Sequence, residues 1–180
     1  MSTLQKHHPF VELARAAIAA YVLEGKHLKP PRDLSPEMQA RAGTFVSLHM
    51  SDGELRGCIG TIEPVRENLA QEIIENAISA ATHDPRFPPV QPDELDALDI
   101  SVDVLTEPVP IDSIRDQDPK KHGLIVQSLK SSWKRGLLLP DLDEIDTAEK
   151  QYHHTRVYKA NITNPTEPVQ LYRFEVKRYY

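Results

Sequence analysis

The chain has 180 residues, of which 39% are hydrophobic and 27% charged, and its net charge at pH 7 is −6. This length fits one domain, or one unit with two lobes, and suffices to bury a hydrophobic core. The acidic balance argues against a general nucleic-acid-binding protein, and no apolar run approaches the roughly 20 residues of a membrane span. The single cysteine excludes an intrachain disulfide and a four-cysteine zinc site, so we expect a protein of the reducing cytoplasm.

The first half of the chain alternates helices with one β-hairpin. Apolar residues at helical spacing predict a helix over residues 10–22, which Gly25 can end. After a proline-rich loop, strand-like patterns predict a hairpin over residues 43–60. An apolar stripe then predicts a helix over residues 65–82, with Glu72 on its solvent side.

The second half of the chain consists mainly of strands. Strict alternation over residues 98–104 predicts a half-buried strand, and residues 123–129 and 136–139 indicate two short ones. Residues 146–159 are typical of a helix, and residues 169–180 of a closing strand. This order of elements indicates the α+β class, with a mainly antiparallel sheet and flanking helices.

The hairpin over residues 43–60 turns at Asp52-Gly53, the preferred pair for a two-residue type I′ turn. With that loop, Ser47 lies opposite Cys58 and His49 lies opposite Arg56. The predicted core face comprises Val46, Leu48, Met50, Leu55 and Ile59. The opposite face is mixed and polar, with Gly60 opening space, and comprises Phe45, Ser47, His49, Arg56 and Cys58.

Cys58 is the candidate reactive group on this polar face. A guanidinium within about 7 Å of a thiol favours the thiolate, the nucleophilic form of cysteine. Cys58 is therefore a candidate nucleophile or radical carrier, with Arg56 as its activator and His49 as its base. The alternative is structural: Cys58 is a small buried hydrophobe, while Gly57 and Gly60 admit a second backbone or a helix at close range.

Several segments occur in an order that resembles one known family. They are residues 43–48, 55–60, 80–81 with 84–89, 105 with 108, 122–124, 137–140 and 159–160. Over nearly the whole chain they closely resemble the AMMECR domain family, named for the Alport syndrome chromosomal region. They resemble in particular its stand-alone prokaryotic members, called AmmeMemoRadiSam system protein A. The hexapeptide Leu-Arg-Gly-Cys-Ile-Gly at residues 55–60 is the signature of that family.

The resemblance implies one AMMECR-like domain over residues 1–180, with an α/β subdomain and a small three-stranded subdomain. The name of the system implies a Memo-like protein and a radical S-adenosylmethionine enzyme as partners, and it implies no particular reaction and no cofactor. Two positions depart from the family pattern. Asn161 replaces a usual glycine and tolerates the same left-handed backbone, whereas the strand near Ser101 lacks a frequent glutamate.

We expect the functional site in a cleft between the two lobes. Besides the catalytic candidates, its ligand-binding candidates are Phe45, Ser47, Gly57, Gly60, Asp84, Arg86 and Lys159. Structural alternatives exist for the charged members: Arg56 can pair with a carboxylate such as Glu63 or Asp84, and Asp84 can cap the turn that ends a helix. No metal site is expected, because adjacent histidines such as His153 and His154 diverge on a helix.

Two functions remain open at this point. The first is a component of a modification pathway that binds or converts an unidentified small molecule beside a radical enzyme. The second is a non-catalytic adaptor, in which the hexapeptide only packs and the basic segment 115–136 docks a partner. That segment contains Arg115, Lys120, Lys121, Lys130, Lys134 and Arg135, against Asp116 and Asp118.

Overall fold

The structure is a computed structural model, and it describes residues 7–180. The chain divides into two compact units, one made of residues up to 104 with 177–180 and the other of residues 105–176. Over the described residues, no helix combines the length and the apolar content needed to cross a bilayer.

The helices of the first unit are α1 (Pro9–Glu24), the short α2 (Pro36–Gln39), α3 (Leu69–Thr82) and a 3₁₀ helix (Pro92–Ala97). Gly25 ends α1 as predicted, with a φ of 65° and its N–H bonded to carbonyls of the last turn. Helix α2 lies within the segment predicted as a proline-rich loop, so the sequence pattern missed it. Proline is tolerated at the first helical position, where no N–H is needed, and Ser35 caps this helix.

The first unit contains the strands β1 (Thr44–Met50), β2 (Leu55–Thr61) and β3 (Leu98–Leu105) and the last residues of β7 (Val169–Tyr179), in the order β2-β1-β3-β7. β1 lies between β2 and β3 and pairs with both in antiparallel fashion. Apolar side chains from α1, α3 and one face of these strands form the core of the unit. Its fully buried members include Val11, Ile18, Val46, Leu48, Ile73, Ile74, Ile78 and Val102.

The turn of the β1–β2 hairpin differs from the predicted one. Met50 and Glu54 close a three-residue loop, and within it only Gly53 has a positive φ, of 89°. This is the geometry of a type I turn followed by a left-handed residue, which also uses an Asp-Gly pair. The register from Val46 to Leu48 is as predicted, but a bulge follows: His49 lies opposite Leu55, and Arg56 is the extra residue.

Helix α3 begins at Leu69, four residues later than predicted, and Asn68 caps it. Glu72 was expected on the solvent side, but it is buried. Its carboxylate accepts hydrogen bonds from the Thr61 hydroxyl and from the backbone N–H groups of Val65 and Arg66. A buried carboxylate is tolerated here because the loop before the helix satisfies it.

The second unit is built from β4 (Val109–Ile111), β5 (His122–Ser128), β6 (Arg135–Leu138) and residues 169–176 of β7. β5 pairs with β6 and β7, and the short β4 adds to the other side of β7. All five of these strand pairs, in both units, are antiparallel, which confirms the predicted α+β class.

The helix predicted over residues 146–159 is shorter in the structure and ends in a π-helical turn. It comprises α4 (Ala148–His154) and a π-helical turn over Thr155–Lys159. Asn161 follows with a φ of 54°, so it adopts the left-handed backbone expected for a residue that replaces glycine. The core of this unit contains Leu124, Val126, Ala160, Ile162 and Leu171.

Candidate functional site

A row of three small polar side chains crosses the polar face of the first unit. Ser47 on β1 lies directly opposite Cys58 on β2 and Ser101 on β3. Residues that face each other across antiparallel strands project from the same face, and the Ser47 hydroxyl donates a hydrogen bond to the Cys58 Sγ at 3.2 Å. We call these three residues the cysteine row. Ser101 was not among the predicted site residues, although the alternation of its strand could have placed it there.

The row beside the cysteine row is filled rather than open. Phe45 lies opposite Gly60, and its ring occupies the space above it: a Cβ at Gly60 would lie 2.2 Å from the ring. Gly60 was expected to open space, and the structure corrects this. Beyond Phe45, the buried Asp103 accepts two hydrogen bonds from Arg178 at 2.7 and 2.8 Å, which raise the pKa of that guanidinium.

The environment of Cys58 favours a protonated thiol. Burial raises the pKa of the Cys58 thiol, and the lowering effects of the Ser47 hydrogen bond and the Arg86 charge do not offset it. The expected activation by Arg56 is therefore not what the structure provides. Cys58 and Ser47 are only half-buried, so the row is partly open to water.

Arg56 is engaged by a carboxylate. Its Nε and Nη2 donate to the two oxygens of Glu94 at 2.7 and 2.9 Å, and its Nη1 donates to the carbonyl of Pro88. The side chains are 11% and 25% exposed, and the guanidinium lowers the pKa of Glu94. The pairing alternative for Arg56 thus holds, but with Glu94 rather than with Glu63 or Asp84. No signal in the sequence identified this partner, which lies 38 residues away.

His49 was predicted to lie opposite Arg56, and the bulge makes this wrong. His49 is half-buried and lies opposite Leu55, two positions along β1 from Ser47. It shares the polar face with the cysteine row, as the alternation of β1 requires.

Asp84 and Arg86 cap the open edge of β2, the outermost strand of its sheet. The Asp84 carboxylate accepts a hydrogen bond from the Cys58 N–H at 2.9 Å, and the Arg86 guanidinium donates to the Cys58 carbonyl at 3.3 Å. Arg86 also donates to both oxygens of Asp84, at 3.0 and 2.7 Å, and holds the pKa of that carboxyl well below its usual range. Together the two side chains satisfy backbone groups that an edge strand leaves unpaired.

Gly57 faces the hydrophobic core and not the polar face. A Cβ at this position would lie 2.2 Å from the carbonyl oxygen of Ala80 in α3. The helix therefore packs directly on the backbone of β2, which is the structural alternative expected for this glycine.

Lys159 lies in the second unit, at the end of the π-helical turn. It lines a cavity of about 330 Å³ together with Lys150 and His154. Gly136 of β6 fits closely against it, because a Cβ there would lie 2.6 Å from the Lys159 Cβ. The other site candidates all belong to the first unit, so a cleft that joins them to Lys159 stays a prediction.

The basic segment of the second unit is partly neutralised. Lys120 pairs with Asp141, and Lys121 pairs with Asp118. Lys134 bonds the buried Glu167 at 3.3 Å. The loop between β5 and β6 nevertheless exposes two large apolar side chains, since Leu129 and Trp133 are 65% and 72% exposed.

Comparison with known proteins gives the family. The AMMECR1 family model matches residues 11–179. A protein of Thermotoga maritima is 50% identical over 173 residues, which cover 96% of this chain and 97% of that protein. The chain therefore belongs to the AMMECR1 family, as the resemblance of its motifs predicted.

A solved structure has the same fold. The crystal structure of uncharacterized protein PH0010 from Pyrococcus horikoshii superposes with a TM-score of 0.82 and 33% identity, over 94% of this chain and 88% of that one. A protein of Clostridium acetobutylicum is 43% identical over 181 residues, but this chain spans only 37% of its length. That relative carries further sequence beyond the part that this chain matches.

Proposed function

We propose that this protein binds a small molecule at the cysteine row and acts in a modification pathway together with a Memo-like protein and a radical S-adenosylmethionine enzyme. The observation that carries the proposal is the alignment of Cys58, Ser47 and Ser101 across three strands. The Cys58 thiol and the Ser47 hydroxyl are half-buried and can contact a ligand, while the buried Ser101 closes the row at β3. Half-burial of Cys58 and Ser47 excludes part of the competing water.

Binding rather than nucleophilic attack is the role that the electrostatics support. A nucleophilic cysteine needs a lowered pKa, whereas burial raises the pKa of Cys58. Arg56, the proposed activator, directs its fork of donors at Glu94. A protonated thiol is a weak hydrogen-bond donor that suits a ligand contact.

Native mass spectrometry of the protein after incubation with the small-molecule fraction of its source cells tests this proposal. We expect a retained species on the wild-type protein and on Asp96→Asn, which alters an exposed carboxylate that is not a member of the row. Ser47→Leu fills the centre of the row with an apolar side chain and should abolish retention. Retention by Ser47→Leu, or no retained species on the wild type, contradicts the proposal.

An adaptor remains the second candidate, supported by the exposed Trp133 and Leu129 within the basic segment. Tryptophan is among the residues that most often anchor a protein interface, so the exposed Trp133 is the centre of this candidate surface. The partner to test is the Memo-like protein of the same organism, mixed with this chain in sedimentation velocity experiments. The adaptor function predicts a complex that Trp133→Ser with Lys130→Glu abolishes and that Ser47→Leu retains. Absence of a wild-type complex with the Memo-like protein contradicts this docking.

A further inference from the structure

Besides the cavity at Lys159 in the second unit, a larger one lies in the first unit. It is formed where the start of α1, the segment 31–38 and the end of β7 meet. Its volume is about 1090 Å³, and its floor is formed by the buried side chains of Phe10, Leu13 and Met38. Sites for small organic molecules typically enclose about 300–1,000 Å³ and are mainly apolar with a few polar groups. None of the predicted site residues lines this cavity.

Three aromatic rings pack together at one side of the cavity. The ring of His8 lies 4.6 Å from that of Phe10 and 4.2 Å from that of Tyr179, and the last two lie 4.8 Å apart. His8 is fixed by its backbone, since its N–H donates to the Tyr180 carbonyl, and its Nδ1 accepts the N–H of Phe10. Burial and then the charge of Lys177 lower the pKa of His8, which favours the neutral imidazole.

The charge at the cavity is predominantly negative. Glu12, Asp33 and Glu37 are exposed at its rim, and none of them forms an ion pair with another residue of the described range 7–180. One lysine, Lys177, opposes these three carboxylates, and its Nζ lies 5.1 Å from the centre of the Tyr179 ring. The exposed Lys177 thus places its own ammonium group over an aromatic face at this cavity, and an aromatic face attracts cations.

We propose that this cavity is a binding site for a small organic ammonium compound with an aromatic or apolar body. The apolar floor would bury the body, and the ammonium group would take the place of Lys177 over Tyr179 beside the carboxylates. Organic anions are disfavoured by the same three carboxylates. This site is independent of the cysteine row, so either can exist without the other.

Three indole compounds of similar size but different charge test the proposal: tryptamine, the neutral tryptophol and the anion indole-3-propionate. Binding is followed by amide NMR shifts during titration of the full chain. We expect tryptamine to bind about 3- to 30-fold more tightly than tryptophol, the range of a cation–π contact, and the anion to bind most weakly. The shifted amides should include those of Phe10, Met38 and Tyr179. Equal affinities, or shifts confined to other residues, overturn the proposal.

Two variants distinguish binding at this cavity from nonspecific hydrophobic binding. Glu37→Gln keeps an exposed polar side chain and should weaken tryptamine without changing tryptophol. Lys177→Met removes the resident ammonium and should strengthen tryptamine binding, because the ligand no longer competes with it. Asp96→Asn serves as the control for a lost surface carboxylate elsewhere. A weaker binding of tryptamine to Lys177→Met contradicts the proposal, and so does no effect of Glu37→Gln.

Discussion

The backbone N–H of Cys58 donates a hydrogen bond to the Oδ2 of Asp84 at 2.9 Å, which ties the loop after α3 to the edge of β2. The Asp84 side chain is 2% exposed and also binds Arg86. Replacing it by Asn keeps the shape but removes the charge from these bonds. We expect Asp84→Asn to lower the free energy of unfolding by ~1.5–3 kcal/mol, the usual contribution of a hydrogen bond to a charged group.

Urea unfolding at pH 7 measures this effect, with Asp96→Asn as the control. Asp96 is exposed, so its replacement should change the stability by less than ~0.5 kcal/mol. Equal stabilities of the two variants would contradict the role assigned to Asp84.

The contribution of Asp84 to the free energy of unfolding should decrease at low pH. Its folded-state pKa is depressed, so the carboxylate contributes fully above its unfolded pKa of about 3.9 and less as the pH falls toward the folded value. The stability difference between wild type and Asp84→Asn should therefore be constant from pH 7 to 5 and shrink below about pH 4. Urea unfolding at pH 7, 5, 4 and 3 checks this, and a difference that grows on acidification would be the opposite result.

Arg56 and Glu94 should be energetically coupled. Both oxygens of Glu94 accept from the Arg56 guanidinium, and neither side chain is strongly exposed. A double-mutant cycle with Arg56→Ala and Glu94→Ala should give a coupling energy of about 1–2 kcal/mol. Arg56→Lys should recover only part of it, because an ammonium cannot make the two parallel bonds. Additivity of the two single variants would indicate that Arg56 is available to a ligand.

The two glycines of the hexapeptide should differ in their tolerance of a methyl group. At Gly57 an added Cβ meets the backbone of Ala80, which cannot move without shifting α3, whereas at Gly60 it meets the side chain of Phe45. Gly57→Ala should cost at least the ~1–3 kcal/mol of an overpacked core, and Gly60→Ala should cost less. Thermal unfolding of both variants gives the comparison, and a larger loss for Gly60→Ala would reverse it.

Much of this fold could be predicted from local patterns. Helical periodicity identified α1 and α3, and alternation identified β3 and β7. The central register of the hairpin also followed from the alternation, because a slip by one residue would bury Ser47 and expose Val46. Family resemblance then agreed with what these patterns indicated about the fold class.

The predictions that failed concern features that depend on tertiary contacts. The bulge at Arg56 accompanies its bonds to Glu94, 38 residues away, and no local pattern encodes such a pair. Glu72 follows the solvent-facing pattern of its helix, yet Thr61 at the end of β2 and two N–H groups of the following loop provide three donors that allow its burial. The pKa of Cys58 likewise depends on burial, which the sequence offered only as a structural alternative to activation by a neighbouring charge.

Two claims are central here: the cysteine row is partly open to water, and its thiol is protonated. The rate of Cys58 alkylation by iodoacetamide, measured as a function of pH, tests both most directly. Cys58 is the only cysteine, so intact mass reports its modification without ambiguity. We predict that the folded protein is modified slowly at pH 7, and that the rate is still rising at pH values above the unperturbed thiol pKa of about 8.5. A rate that reaches its plateau below pH 8, or modification only after unfolding, would contradict this description of Cys58.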